Sequence, residues 1–214
     1  MPSIPFSVYD FFGYIASGLL LCFAADFVLP GDWIIEDTLP PSVIAFWTVA
    51  AYIVGQANAQ LSGFLLEQQF TWRVLGKTID NLMGGQQHDW RATLFPTYFR
   101  PLPEDVKERI RDRALGVGNL IGDSLFHHVR TIAKRDKETW ANLNCFIERY
   151  GFCRNMSLAL LISAILVSCR GEWLLFIVAM FGAILMFYRF LKFYRQYTFE
   201  ALTAYPDIPE AKEK

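Results

Sequence analysis

The chain is poor in the residues that build redox and metal chemistry: 214 residues hold four cysteines (Cys22, Cys145, Cys153 and Cys169) and three histidines. No two cysteines form a CxxC pair, and no Cys/His spacing suits zinc, so neither a redox dithiol nor a zinc module organises the fold. The thiols are expected to be reduced and structural. His88-Asp89 and His127-His128 are adjacent pairs without further converging ligands, so no metal and no cofactor is predicted. Enzymatic signatures are missing too. There is no HExxH, no phosphate-cradling P-loop and no GxSxG nucleophile turn, and the chain is not expected to be an enzyme. The opening MPSIPFSVYD has no Lys or Arg, so it lacks the basic region of a cleavable signal peptide. Leu21 is too large for the position before a lipoprotein cysteine at Cys22, so the first apolar run is expected to stay as a helix.

What the chain has in abundance is apolar and aromatic residues, 53% and 16%, beside 19% charged residues. The two populations are segregated, the pattern a bilayer imposes. Phe11 to Leu29 is 19 residues with one charge, Asp26, and at 1.5 Å per residue it spans about 28 Å, the hydrocarbon thickness. Val43 to Leu66 is 24 residues without charge. The third run is shorter, 15 uncharged residues from Asn155 to Cys169. It crosses only if Arg154 snorkels, and is otherwise re-entrant. Trp173 to Tyr188 carries aromatics at both ends, as helices anchored at two interfaces do, and only residues 170–172 separate it from the third run.

The expected fold is therefore all-α: a polytopic membrane protein with four transmembrane helices and a cytoplasmic helical domain between the second and third. The predicted segments are a first hairpin over 1–66 (spans 11–29 and 43–66), a domain over 67–155, a second hairpin over 156–191 (spans 154–169 and 173–190) and a tail over 192–214. Of 20 basic residues, only Arg170 lies in the loops 30–42 and 170–172. The positive-inside rule then places both termini and residues 67–155 in the cytoplasm, with Asp32, Glu36 and Asp37 outside.

Residues 67–155 carry 14 basic and 11 acidic residues. The second span is expected to continue inward until Gly84-Gly85 breaks it. Pro103 followed by Glu104 and Asp105 opens a helix. Further helices are expected over 119–135 and 137–150, the latter running into the third span. Leu120, Leu125, Val129 and Ile132, and Trp140, Leu143 and Ile147, are spaced as faces that pack. The last residues, from Asp207, read as a disordered tail.

Three amides, Gln56, Asn58 and Gln60, fall in the second span, where an unpaired polar group is expensive. Beside them Gly55, Ala59 and Gly63 form a small-residue stripe that lets another helix approach. These residues suit either interhelical packing or the lining of a polar pore, and Asp26 suits an interfacial position. In the central domain Arg109, Arg113, His127, Arg130, Lys134 and Arg135 are interleaved with acids. They read either as a solvated surface near anionic lipid or as a face toward an anionic ligand such as nucleic acid.

The segments FSVYDFFGYIASGLLL and YRFLKFYRQYTFEALTAY resemble small membrane proteins encoded beside bacterial anti-phage genes, and in particular Hailong-type membrane effectors. The resemblance covers the two ends of the chain. It implies a homo-oligomeric ion channel, taken as a tetramer, in the lipid bilayer of the bacterial inner membrane. A short single-stranded DNA oligomer from a partner nucleotidyltransferase would hold it closed, and loss of that ligand on infection would open it. It assigns no ligand residues one by one. The rival reading is a non-conducting anchor or sensor that recruits a cytosolic partner.

Overall fold

A computed structural model describes residues 8–29, 40–85, 89–118 and 120–209. Asp32, Glu36, Asp37, His88 and Asn119 lie outside the described residues. The described chain is all-helical, without strands. In order come α1 (Val8–Val28), α2 (Pro41–Ser62), a π-helix (Gly63–Leu75), α3 (Thr78–Met83), α4 (Trp90–Leu94), α5 (Pro96–Phe99), α6 (Glu104–Val117), α7 (Asp123–Ala133), α8 (Lys137–Ser168), α9 (Trp173–Ala204) and a 3₁₀ turn (Tyr205–Asp207).

Three helical runs are long and apolar enough to cross a membrane: Pro41–Met83, Lys137–Ser168 and Trp173–Asp207. The apolar part of α1, Gly13–Val28, is shorter. Length does not limit the third run, because α8 is one helix of 32 residues that begins far upstream of Arg154. The second run breaks earlier than expected. Its π-helix ends at Leu75, and Gly76, with φ of 79°, turns the chain in the left-handed region that glycine tolerates. Gly84-Gly85 ends only the short α3.

The residues divide into two compact units, 1–70 with 150–190 and 71–149 with 191–214. In the first, α1 and α2 run antiparallel and nearly touch. A methyl group on Gly18 would sit 1.7 Å from the Ala51 carbonyl oxygen, and one on Gly55 would sit 1.9 Å from that of Tyr14. Only glycine permits such an approach of two backbones. Gly13 meets Phe152 of α8, and the Arg170 guanidinium donates twice to the Val28 carbonyl at 3.0 and 2.7 Å, so α1 and α8 run the same way. Ser157 Oγ donates to Ala183 O at 2.9 Å, and Gly182 packs on Leu160, so α9 returns beside α8. The turn between α8 and α9 has four residues and holds Gly171 at φ of 77°.

The second unit has an apolar core that includes Leu75, Leu82, Ile110, Val129, Leu143 and Leu202, each at most 1% exposed. Leu125 and Ile132 join Val129 in it, whereas Leu120, Trp140 and Ile147 are half-buried. Pro103, at ψ of 145°, stands just before α6, and Glu104 and Asp105 lie in its first turn at the positive end. Asp136 caps α8 by accepting from the Thr139 amide at 2.9 Å.

Candidate functional site

The first unit contains a buried polar chain that begins on α2. Asn58, 2% exposed, donates through Nδ2 to the Asn155 carbonyl at 2.9 Å. One turn on, Ser62 Oγ donates to Asn155 Oδ1 at 2.7 Å and accepts from Arg154 Nε at 3.2 Å. Arg154 Nη1 then pairs with Glu67, the first acid after the uncharged run. The two side chains are 17% and 15% exposed, so water screens this pair little. Arg154 is thus held by a partner from the second helical run instead of snorkelling alone. Asn58 Oδ1 is buried without a hydrogen-bond partner, a free acceptor at the closed end of the chain.

The three amides of α2 separate in their roles. Asn58 bonds across to α8, and Gln56 donates to the Tyr52 hydroxyl of its own helix at 3.0 Å. Gln60 is exposed, among Leu61, Phe64 and Leu65 that are exposed as well. Along the small-residue stripe, Gly55 faces α1 and Gly63 faces the Arg154 guanidinium, with Ala59 half-buried between them. Asp26 is buried on α1, within a turn of the Val28 carbonyl that Arg170 caps. Asn155, Ser62 and Glu67 were not singled out from sequence. Their partners lie about 90 positions away along the chain, and no local pattern marks them.

In the second unit the basic residues form two groups. Arg109 pairs with Asp207 at 2.7 Å. Arg113 donates to the carbonyls of Tyr205 and Ile208 and stacks 4.7 Å from the Tyr205 ring. Both arginines thereby fasten the segment after α9, and Ile208, expected in a loose tail, is 8% exposed. His127, Arg130, Lys134 and Arg135 are exposed on and just after α7, with Lys134 lying 5.4 Å from the Trp140 ring centre. Among the described residues, no three His, Cys, Asp or Glu side chains converge as a metal site would require.

Comparison with protein families, characterised proteins and solved structures gave no match.

Proposed function

We propose that the protein is a homo-oligomeric membrane channel of four spans per subunit, gated through its second unit and serving bacterial anti-phage defence. The observation that carries the reading is Gln60. It is exposed on an apolar surface of α2, and its side-chain amide makes no hydrogen bond among the described residues. At membrane depth such an amide must meet a polar partner or water, since lipid offers neither. A second copy of the chain supplies the partner, and a ring of copies supplies a water-filled axis. The surrounding surface agrees: Phe46, Ile53, Ile177, Val178 and Phe181 are each at least 60% exposed, as lipid-facing side chains would be.

The first unit supports four crossings, with α1 completing the bundle. Arg170 on Val28 puts the end of α1 beside the α8–α9 turn, and Arg154 with Glu67 lies at the bundle's other end. The basic excess of residues 67–155 then assigns that second end to the cytoplasm of the bacterial inner membrane. His127, Arg130, Lys134 and Arg135 form the face for an anionic gating ligand, a short single-stranded DNA oligomer being the one the resemblance implies. Its supply requires a partner nucleotidyltransferase.

Planar-bilayer recording of the purified oligomer tests the channel. Gln60→Leu is expected to change unitary conductance while leaving assembly intact; an oligomer silent with and without the oligonucleotide ends the reading. Reversing charge at Arg130 and Lys134 should abolish binding of short single-stranded DNA, and retained affinity removes that face.

A second reading, a non-conducting anchor that recruits a partner, is favoured by apolar residues exposed on the second unit. Trp90 and Ile121 are 66% and 73% exposed. Ile121 borders a cavity of about 310 Å³ with Leu115 and Met83. Silent oligomers that capture a cytosolic protein through this surface would support it.

A further inference from the structure

Sequence dictates an unusual wall in the second unit. In PTYFRPLP, residues 96–103, three prolines allow only the four-residue α5 before the chain becomes extended at Arg100 and Pro103. Tyr98, Phe99 and Leu102 are buried, each at most 4% exposed. Leu102 also borders an open cavity of about 760 Å³, together with Pro96, Thr97, Arg100, Pro101 and Pro103. Its opposite wall is Arg195 and Phe199, one turn apart on α9. The volume lies within the range of small-ligand sites.

The charges in this cavity are all of one sign. Arg195 Nη2 donates to the Arg100 carbonyl at 2.9 Å, and its guanidinium lies 5.6 Å from the Phe199 ring centre. These contacts hold the side chain in place but leave Nε buried with no hydrogen-bond partner. The Arg100 side chain is exposed, and the residue lines the same cavity. Among the described residues, no carboxylate lines the cavity and neither arginine forms an ion pair. Both arginines line the cavity, and their forked donors match phosphate oxygens.

The geometry points to a binding site for a phosphate-bearing amphiphile in this cavity, with Arg100 and Arg195 holding the phosphate and Phe199 with the prolines covering the apolar part. Thr97 supplies a further hydroxyl donor at the rim. The site is separate from the basic face of α7 and stands whether or not the chain conducts. Two sources offer the same chemistry, a soluble phosphate ester and a phospholipid headgroup. Arg195 is seven residues past Tyr188 on a continuous helix, about 10 Å by helical rise. That distance suits a headgroup if the apolar part of α9 crosses the bilayer.

The full-length protein in a neutral detergent would be titrated with glycerol 3-phosphate by calorimetry. In parallel, native mass spectrometry would count phosphatidylglycerol against phosphatidylcholine retained from mixed micelles. Saturable binding of glycerol 3-phosphate assigns the site to soluble esters, and selective retention of phosphatidylglycerol alone assigns it to headgroups. In either case Arg100→Ala should weaken binding about tenfold, the loss of one charge-assisted contact. Arg195→Lys should weaken it as well, because a point charge replaces a fork. Arg130→Ala should leave it unchanged. Should Arg195 variants fail to fold, Arg100→Ala carries the test, since it keeps the carbonyl that Arg195 needs. Wild-type protein that binds neither probe, or an Arg100→Ala variant with unaltered affinity, overturns the assignment.

Discussion

The two units bury opposite sides of similar helices. In the first, Ile177, Val178 and Phe181 of α9 are about 60% exposed, and the closest packing is between backbones at Gly18 and Gly55. In the second, Phe199 and Leu202 belong to the same helix, yet Leu202 is fully buried in a core with Leu82 and Ile110. Polar groups are buried in both, with different partners. The first unit buries Asn58 and Asn155 beside the half-buried pair of Arg154 and Glu67, whereas the second buries Lys107 against the Gly84 carbonyl and uses Arg109 and Arg113 to fasten a chain end. The difference teaches that composition does not decide what a helix buries; the solvent it was built for does.

The contrast breaks most severely if one member of the half-buried ion pair is removed. Arg154→Met leaves Glu67, 15% exposed, without its partner, and should cost roughly 3–5 kcal/mol in detergent unfolding. The double variant with Glu67→Leu should recover most of that, and failure to recover would mean the pair does more than neutralise itself. Gly18→Ala comes next, at roughly 3 kcal/mol, because the Ala51 backbone cannot yield to a methyl group. The same substitution at Gly116, which nothing approaches within 4 Å, should be neutral or stabilising and serves as its control.

A third test concerns the second unit. Arg113→Ala removes two hydrogen bonds to carbonyls and the stacking on Tyr205. It should cost roughly 2 kcal/mol and raise hydrogen exchange at residues 205–208 while leaving α1 and α2 protected. The smallest effect is expected at Asp136. The Thr139 hydroxyl and amide hold its carboxyl below the ordinary carboxylate range. Its contribution is therefore complete above about pH 4 and fades as acid protonates the folded form. Asp136→Ala should slightly lower the melting temperature at neutral pH and remove that step from the acid limb of a stability profile.

Much of the helical layout was legible because it depends on local signals. The apolar runs, Pro103 with its acids, and the glycine-containing turn before Trp173 each announce a helix and its end. The junction at Gly76 was less visible, since Gly84-Gly85 is the stronger breaker by composition. What decides the matter is that the chain turns with positive φ at Gly76. The π-helix from Gly63 to Leu75 has no marker in the sequence, and nothing in the structure explains its length. Of the polar residues in α2, the sequence shows that Asn58 and Gln60 are costly but not that one faces α8 and the other faces outward. At 3.6 residues per turn the two stand about 200° apart, so they face nearly opposite ways, and only the position of α8 decides which of them it meets. Arg109 and Arg113 looked like members of one basic surface, and only the fold of the chain end reveals that they are engaged.

The four residues between Ser168 and Trp173 also constrain how the chain is made. A translocation channel that releases helices singly would have to release α8 while α9 is still entering, on a tether too short to let them part. Ser157 bonded to Ala183, and Leu160 against Gly182, supply contacts that the pair can make at once. The hairpin is thus suited to enter a bilayer as one object. Lengthening the turn should uncouple the two insertion events before it affects the finished protein.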